Sequence, residues 1–361
     1  MNIFIVCNYL GGGGAERVAV RLAEGLVQRG ENISLIADLE RYRSYIVNNK
    51  INLLPLHQQN ISKSKKIKQA ILNIRKYAKE NKPDIIIGFM HFCSLVSRIA
   101  VVGLNIPVIS TVHHALESDT YKIDKIVKLL DKYSLPIYQH VTVLTKPDLA
   151  YLGNKIKNVS VMPNPLSFEP YEGELEKETF ILAAGRINDW HYKGWDVLIK
   201  TWAHIANKYP QWSVKIAGNG DEETFHFLKK IACNYKISDR IDFLGYRTDM
   251  LELYKRASIF LLSSRSEGLP MVLIEAMSQG CACVATDYKG RTKEIITNEK
   301  EGLLAEPEDD IQLAKHLQTL IEDEQLRLAI QNNSIKRSYY YQLNHIIDMW
   351  EVLLNNIKNK K

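Results

Sequence analysis

The chain has 361 residues, of which 46% are hydrophobic and 24% charged, so it is long enough for two domains with separate cores. Its five cysteines form no C-x2-C pair, which argues against a disulfide framework or a zinc ribbon. No apolar run reaches the roughly 18 residues of a membrane span. The apolar start, residues 3–7, is too short for a signal peptide and lacks a basic flank, so we expect a cytoplasmic protein.

Short apolar runs alternate with longer stretches of helical periodicity, which predicts parallel sheets covered by helices. In the first half, strands are predicted at residues 2–8, 33–38, 84–90, 107–113, 141–145 and 159–163, and helices at 15–29 and 63–80. A segment rich in Pro and Glu, residues 164–178, follows them and reads as a linker.

The same rhythm starts again after the linker. Strands are predicted at residues 180–185, 212–217, 241–245, 259–263 and 281–286, and helices at 195–209, 224–235, 309–333 and 339–357. The repetition indicates a second α/β domain built like the first.

Charge is distributed unevenly along the chain. The first 170 residues carry 22 Lys and Arg against 13 Asp and Glu, whereas the rest of the chain carries 25 against 28. Many of the lysines of the first half fall in two predicted amphipathic segments, 63–82 and 121–133. Two interpretations stay open: these lysines are solvated on helices that face the core, or they contact an anionic lipid surface.

The most informative stretch is residues 264–280, Ser-Arg-Ser-Glu-Gly-Leu-Pro-Met-Val-Leu-Ile-Glu-Ala-Met-Ser-Gln-Gly. Glu267 and Glu275 stand eight positions apart, after an apolar, strand-like run. Pro270 suits the first turn of a helix and Gly280 suits the residue past its end. We therefore expect Glu267 on a strand-to-helix loop, close to free helix N–H groups that would hold a phosphate beside a polyol.

This stretch resembles the E-x7-E motif of retaining GT-B glycosyltransferases, the GT4-like family that uses nucleotide sugars. Other features of the family occur in the expected order: Gly11-Gly12-Gly13-Gly14-Ala15-Glu16, Thr111-Val112-His113, Pro163-Asn164-Pro165-Leu166, Gly185-Arg186 with Lys193-Gly194, Ala217-Gly218-Asn219-Gly220 and Phe243-Leu244-Gly245-Tyr246. Each feature alone is common, but their combination with the acid pair is specific.

The resemblance implies two Rossmann-like, doubly wound parallel-sheet domains that face each other across a cleft. Residues 1–165 would bind the acceptor and residues 166–342 the donor, and a final helix at about 343–361 would return to the first domain. The activity implied is transfer of a sugar, with retention of its anomeric configuration, from a UDP-sugar to a glycan or lipid-linked saccharide. No D-x-D occurs in the chain, so neither a metal nor another cofactor is expected.

By resemblance, Glu267 contacts the transferred sugar and Glu275 the ribose hydroxyls. Arg186 and Lys193 would clamp the diphosphate, although six residues separate them where the family has about four. His113 would approach the reacting centre. The remaining donor-binding residues implied are Gly13, Gly14, Asn164, Gly220, Tyr246, Arg247, Gly268, Leu269, Pro270, Met271 and Val272.

Two alternatives of other classes remain open. Asp38 ends a predicted strand as the ribose-binding acid of an NAD-dependent dehydrogenase would, but the G-x-G-x-x-G spacing fails at Glu16 or Arg17. The second alternative is a non-catalytic protein that binds sugar nucleotides or glycans on the same fold. No nucleic-acid partner is expected, and the basic segments would place the protein on the inner face of the cell membrane.

Overall fold

Strands and helices alternate along the chain, and every strand pairing in the described residues is parallel. The computed structural model describes residues 1–11, 13–41, 45–58, 62–117, 133–297 and 299–359. Two compact units divide the chain: one holds the described residues up to 165 and the last helix, and the other holds residues 166–342. The predicted class of two parallel-sheet α/β units is confirmed.

The first unit contains a seven-stranded sheet. Its elements are Asn2–Tyr9 (β1), Gly14–Gln28 (α1), Asn32–Asp38 (β2), Asn52–Pro55 (β3), Lys63–Asn81 (α2), Ile85–Phe89 (β4), Met90–Ala100 (α3), Val108–Thr111 (β5), His140–Val143 (β6), Lys146–Leu152 (α4) and Val159–Val161 (β7). The strand order is β3-β2-β1-β4-β5-β6-β7, so the order reverses between β1 and β4.

The second unit contains a six-stranded sheet. Its elements are Glu178–Ala184 (β8), Trp190–Lys193 (α5), Trp195–Ala203 (α6), Ser213–Ala217 (β9), Glu222–Asn234 (α7), Ile241–Gly245 (β10), Met250–Arg256 (α8), Ala257–Leu262 (β11), Met271–Ser278 (α9), Ala282–Thr286 (β12), Gly302–Ala305 (β13), Asp310–Glu322 (α10) and Glu324–Ser338 (α11). The order is β10-β9-β8-β11-β12-β13, with the reversal between β8 and β11.

A last helix, Leu343–Lys358 (α12), packs against α1 in the first unit. The sheet of that unit is covered on both faces, because alternate residues of β1 enter different apolar clusters. Ile3 and Ile5 join the cluster that includes α1 and α12, whereas Phe4 and Val6 join the one that includes α2 and α3. Such two-sided burial explains why the strands read as continuous apolar runs. No helix of the described residues is long and apolar enough to cross a membrane.

Three of the predicted helices need correction. The helix predicted at 309–333 is two helices, α10 and α11, because Asp323 leaves helical geometry and its carboxylate caps the second one through the N–H of Leu326 at 2.9 Å. The helix predicted at 195–209 ends at Ala203. Pro270 precedes α9 as its N-cap residue instead of lying in the first turn. Of the predicted basic segment 121–133, all but the last residue lie outside the described residues.

Candidate active site

Two loops meet where the strand order of the second sheet reverses. Residues 185–194 follow β8 and residues 263–270 follow β11, and these strands are parallel neighbours. Their carboxyl ends therefore lie at the same edge of the sheet, beside the reversal. In open parallel α/β sheets this is where ligands bind.

Glu267 lies on the loop between β11 and α9, as predicted. One of its carboxylate oxygens, Oε1, is 2.7 Å from Nζ of Lys193 and also accepts a 2.7 Å hydrogen bond from Oγ of Ser264. The side chains of Glu267 and Lys193 are 14% and 21% exposed, so the ion pair is shielded but still reachable from solvent. The structure thus brings one predicted acid and one predicted cation together.

The long spacing between Arg186 and Lys193 is accommodated by a turn. Residues 187–189 form a single turn of 3-10 helix and α5 follows directly, which brings Lys193 back towards Glu267. Trp190 supports this turn by packing on Phe227, with the ring centroids 4.8 Å apart. Arg186 behaves differently: its guanidinium is 66% exposed and pairs with Asp189 at 2.8 Å. Its predicted contact with a diphosphate stays a prediction.

Glu275 is anchored inside the protein. Its side chain lies on α9 and the residue is 2% exposed. Oε1 accepts a 2.6 Å hydrogen bond from Oγ of Ser167, and Oε2 accepts one of 3.1 Å from the hydroxyl of Tyr254. Both carboxylate oxygens thus already accept hydrogen bonds within the protein, and the predicted ribose contact stays a prediction. Sequence reasoning missed both partners.

The start of α9 carries the backbone groups expected at the donor. The helix begins at Met271, and Pro270 before it supplies no side-chain cap. Because the first N–H groups of a helix have no partner within it, they attract an anion. Gly268, Leu269 and Val272 complete this segment, and Leu269 is 7% exposed.

Two further loops lie at the same edge of the second sheet. Gly220 follows β9, and a Cβ added there would lie 2.6 Å from Cβ of Ile187, so only glycine fits. Tyr246 and Arg247 follow β10; Tyr246 is 64% exposed, and Nε of Arg247 donates to Asp249 at 2.8 Å. The structure therefore places all three near the edge that carries the Lys193–Glu267 pair.

The other predicted residues belong to the first unit. Gly13 precedes α1 and Gly14 begins it, and the carbonyl of Gly13 accepts a 3.1 Å hydrogen bond from the hydroxyl of Tyr45. Asn164 is 4% exposed, and its side chain forms a hydrogen bond with His113. His113 follows β5 at the carboxyl edge of the first sheet.

His113 is held as a neutral imidazole in a buried position. Its ring stacks on Phe89 at 5.0 Å. Nε2 lies 2.9 Å from Oγ1 of Thr111, and that hydroxyl also lies 3.3 Å from the carbonyl oxygen of Gly88. Nδ1 is buried. Burial, reinforced by His114, lowers the pKa of His113 to about 3 although Asn164 opposes the shift.

Metal binding has no candidate site in the part of the chain that the structure describes. There, no group of three or more His, Cys, Asp and Glu side chains is placed to hold an ion. The loop after β8 carries two cations, Lys193 and Arg186, and the start of α9 adds the partial positive charge of a helix N-terminus.

Comparisons with known proteins identify the family. The model of Glycosyl transferases group 1 matches residues 168–337, and that of Glycosyltransferase Family 4 matches residues 12–169. An uncharacterized glycosyltransferase of Haemophilus influenzae is 31% identical over 97% of this chain and 99% of its own length. An alpha-1,4-N-acetyl-D-galactosaminyltransferase of Campylobacter jejuni is 30% identical over 99% of both chains.

The fold has a solved counterpart. The crystal structure of HepE from Anabaena in complex with UDP and glucose superimposes with a TM-score of 0.81 at 18% identity, covering 98% of this chain and 99% of that one. Such a likeness shows the GT-B fold, and the sequence matches show the family. The chain therefore belongs to the glycosyltransferases of the group 1 and family 4 type, as its motifs predicted.

Proposed function

We propose that this glycosyltransferase moves a sugar from a UDP-sugar to a glycan or lipid-linked saccharide, with retention of the anomeric configuration and without a metal ion or other cofactor. The observation that carries the proposal is the Lys193–Glu267 ion pair at the strand-order reversal of the second sheet, next to the uncapped start of α9. A cation and helix N–H groups suit a diphosphate, and the adjacent carboxylate suits the sugar attached to it.

Charge development explains why these groups belong together. In the transfer, the bond between the anomeric carbon and the phosphate oxygen breaks, a bond to the acceptor oxygen forms, and the acceptor's proton passes to the departing diphosphate. Negative charge grows on the leaving group, where Lys193, Arg186 and the start of α9 stabilise it. Positive charge grows on the sugar, where Glu267 stabilises it. Groups fixed in advance at these positions lower the barrier most.

In the first unit, we propose that the buried side chains of His113 and Asn164 contact the sugar of the donor. A hydrogen bond with Asn164 offsets only part of the effect of burial, so the pKa of His113 is lowered to about 3. The imidazole is therefore neutral at physiological pH and can exchange hydrogen bonds with sugar hydroxyls.

The choice of donor and acceptor follows the relatives. The Campylobacter enzyme is named for a saccharide on undecaprenyl diphosphate, and the Anabaena structure holds UDP. We propose the same classes here, a UDP-sugar and a saccharide on a lipid diphosphate. An acceptor of this kind requires a protein in the cytoplasm that reaches the inner face of the cell membrane.

Helix α2 is the surface that we propose for membrane contact. Its exposed lysines include Lys65, Lys68 and Lys76. Ile67 and Leu72, which lie among these lysines in the sequence, are 37% and 54% exposed. Exposed aliphatic side chains among lysines suit the interface of an anionic bilayer, where each lysine contributes about 1 kcal/mol.

The activity is tested with a panel of nucleotide sugars and a lipid-diphosphate saccharide, with release of nucleoside diphosphate and NMR of the new linkage as readouts. Release of UDP and a product anomer that matches the donor are expected, with Glu267→Gln as the inactive control. Inversion of the anomer would contradict retention. Binding of UDP-sugars without any turnover or donor hydrolysis would favour the non-catalytic alternative.

Membrane contact is tested by sedimentation with anionic and neutral liposomes at rising salt. Replacement of Lys65, Lys66, Lys68 and Lys76 by Gln should weaken binding to the anionic liposomes and leave UDP affinity unchanged. The matched control replaces four exposed lysines of the second unit by Gln, namely Lys229, Lys230, Lys236 and Lys300. If both variants lose the same amount of liposome binding, or if the protein binds anionic and neutral liposomes equally, the α2 lysines are simply solvated and the proposed membrane contact is wrong.

A further inference from the structure

Arg265 connects the two loops of the candidate site. It lies two residues before Glu267, and its side chain is only 9% exposed. Nη1 and Nη2 donate to the two carboxylate oxygens of Asp196 at 2.7 and 2.8 Å, and Nη1 also donates to the carbonyl of His191 at 2.7 Å. The remaining face of the guanidinium pairs with Glu308.

The backbone repeats this connection on both sides of Lys193. The N–H of Arg265 donates to the carbonyl of Tyr192 at 2.8 Å. Oγ of Ser263 lies 3.0 Å from the carbonyl of Lys193 and 2.9 Å from that of Gly194. The main chain of Lys193 is therefore fixed to the loop that carries Glu267.

Asp196 and Arg265 both stay charged although they are largely buried. Burial alone would raise the pKa of Asp196, but the hydrogen bonds and the charge of Arg265, together with backbone N–H groups, outweigh it, and the pKa of that carboxyl is lowered. The bonds to Asp196 in turn raise the pKa of Arg265. A paired, fully bonded guanidinium of this kind holds its partners in one geometry, because its donors form a rigid, planar fork.

We propose that Arg265 is a positioning residue for the Lys193–Glu267 pair. Fixing a lysine side chain is unfavourable by about 2 kcal/mol because it loses rotamer entropy. The backbone of Lys193 must therefore be held if its ammonium group is to stay in one place. Arg265 fixes the backbone next to Lys193, and its own side chain donates to Asp196, His191 and Glu308. The inference rests on the proposed function of Lys193 and Glu267 at the donor, and it adds the residue that sets their distance.

A double-mutant cycle separates positioning from general stability. Arg265→Lys keeps the charge but cannot bond Asp196, His191 and Glu308 together, and Arg265→Met keeps most of the volume. Each is combined with Lys193→Ala, and kcat/KM and UDP affinity are measured for every variant. If Arg265 acts through Lys193, Arg265→Lys lowers kcat/KM roughly tenfold alone but less than about twofold in the Lys193→Ala background.

The matched control is Arg240→Lys. Arg240 also joins segments by donating to main-chain carbonyls, those of Tyr209, Pro210 and Trp212, in a part of the second unit that the site does not use. Its replacement should lower the melting temperature and leave kcat/KM and UDP affinity unchanged. Glu308→Gln should have a smaller effect than Arg265→Lys, because Glu308 is 58% exposed.

The outcomes distinguish the inference from the function on which it rests. If Lys193→Ala retains full activity, the proposed role of Lys193 at the donor is wrong. If Lys193→Ala is impaired but the effect of Arg265→Lys is the same in both backgrounds, or is absent, the positioning role is wrong and the proposed function stands. If Arg265→Lys lowers only the melting temperature, as is expected for Arg240→Lys, the positioning role is likewise wrong.

Discussion

Gly194 is the residue whose substitution tests the site geometry most sharply. Its backbone is left-handed, with φ 62° and ψ 37°. A Cβ at this position would lie 2.0 Å from the carbonyl oxygen of Ser263 and 2.9 Å from its carbonyl carbon. Gly194→Ala therefore strains the backbone and pushes the loop after β8 away from the end of β11.

The magnitude follows from these two effects. Left-handed geometry is unfavourable by about 1–2 kcal/mol for a residue with a Cβ. Relief of the clash requires a shift of about 1 Å, which disrupts the one hydrogen bond that Ser263 Oγ shares between the carbonyls of Lys193 and Gly194, at about 0.5–1.5 kcal/mol. The total loss of stability is about 1.5–3.5 kcal/mol. The same shift moves Lys193 relative to Glu267, and a misplacement of 1 Å lowers rates by roughly 100-fold.

The matched control is Gly30→Ala. Gly30 has φ +84°, but a Cβ there meets nothing within 4 Å, so only the backbone strain of about 1–2 kcal/mol is expected and activity is kept. Urea unfolding gives the stability of both variants, and release of nucleoside diphosphate gives kcat/KM. If Gly194→Ala matches Gly30→Ala in both measurements, the close approach of the two loops does not position Lys193.

Three further predictions concern the charges. Glu267→Gln should lower kcat more than about tenfold, whereas Glu275→Gln should mainly raise the KM for the donor; full activity of Glu267→Gln in steady-state assays would contradict the site. Activity should persist in EDTA, because Lys193, Arg186 and the start of α9 supply the positive charge; loss that magnesium restores would contradict metal independence. The pKa of His113 is lowered from 6.5 to about 3, so between pH 6.5 and pH 3 this histidine is protonated in the unfolded chain but neutral in the folded one. Stability should therefore fall as pH falls from about 6.5 towards 3, and urea midpoints should show a weaker fall in His113→Gln.

Periodicity predicted most of the fold because most strands are covered on both faces. Such strands read as apolar runs, and β1 and β11 were predicted within two residues of their bounds. Two edge strands, β3 and β13, were missed. Each has only four residues and lies at the end of its sheet, so its apolar signal is short; β3 is in addition partly exposed, whereas β13 is mostly buried. Helix α3 was missed because it follows β4 without a turn, through Met90 in a left-handed conformation at φ 65°.

The candidate site was predictable where its signals are local. Turn residues and the apolar run before them placed Glu267 on a loop and Glu275 inside a helix, and the structure agrees. The partners of those acids were not predictable. Ser167 is 108 residues from Glu275, and Lys193 is 74 residues from Glu267, so only the tertiary fold brings them together, in the second case through the adjacent strands β8 and β11. The same fact explains why Arg265 gave no signal of its own in the motif.

The two cations of the predicted clamp differ in how far the fold has already placed them. Lys193 is held at its main chain on both sides and pairs with Glu267, so it can act on a developing charge without first being ordered. Arg186 is 66% exposed and its ion pair reaches only three residues along the chain. Solvent screens such a pair, so the guanidinium can exchange Asp189 for a diphosphate at little energetic loss. Under the proposed function, we therefore expect Arg186 to contribute mainly to binding of the diphosphate, and the preorganised Lys193 mainly to stabilisation of the transition state.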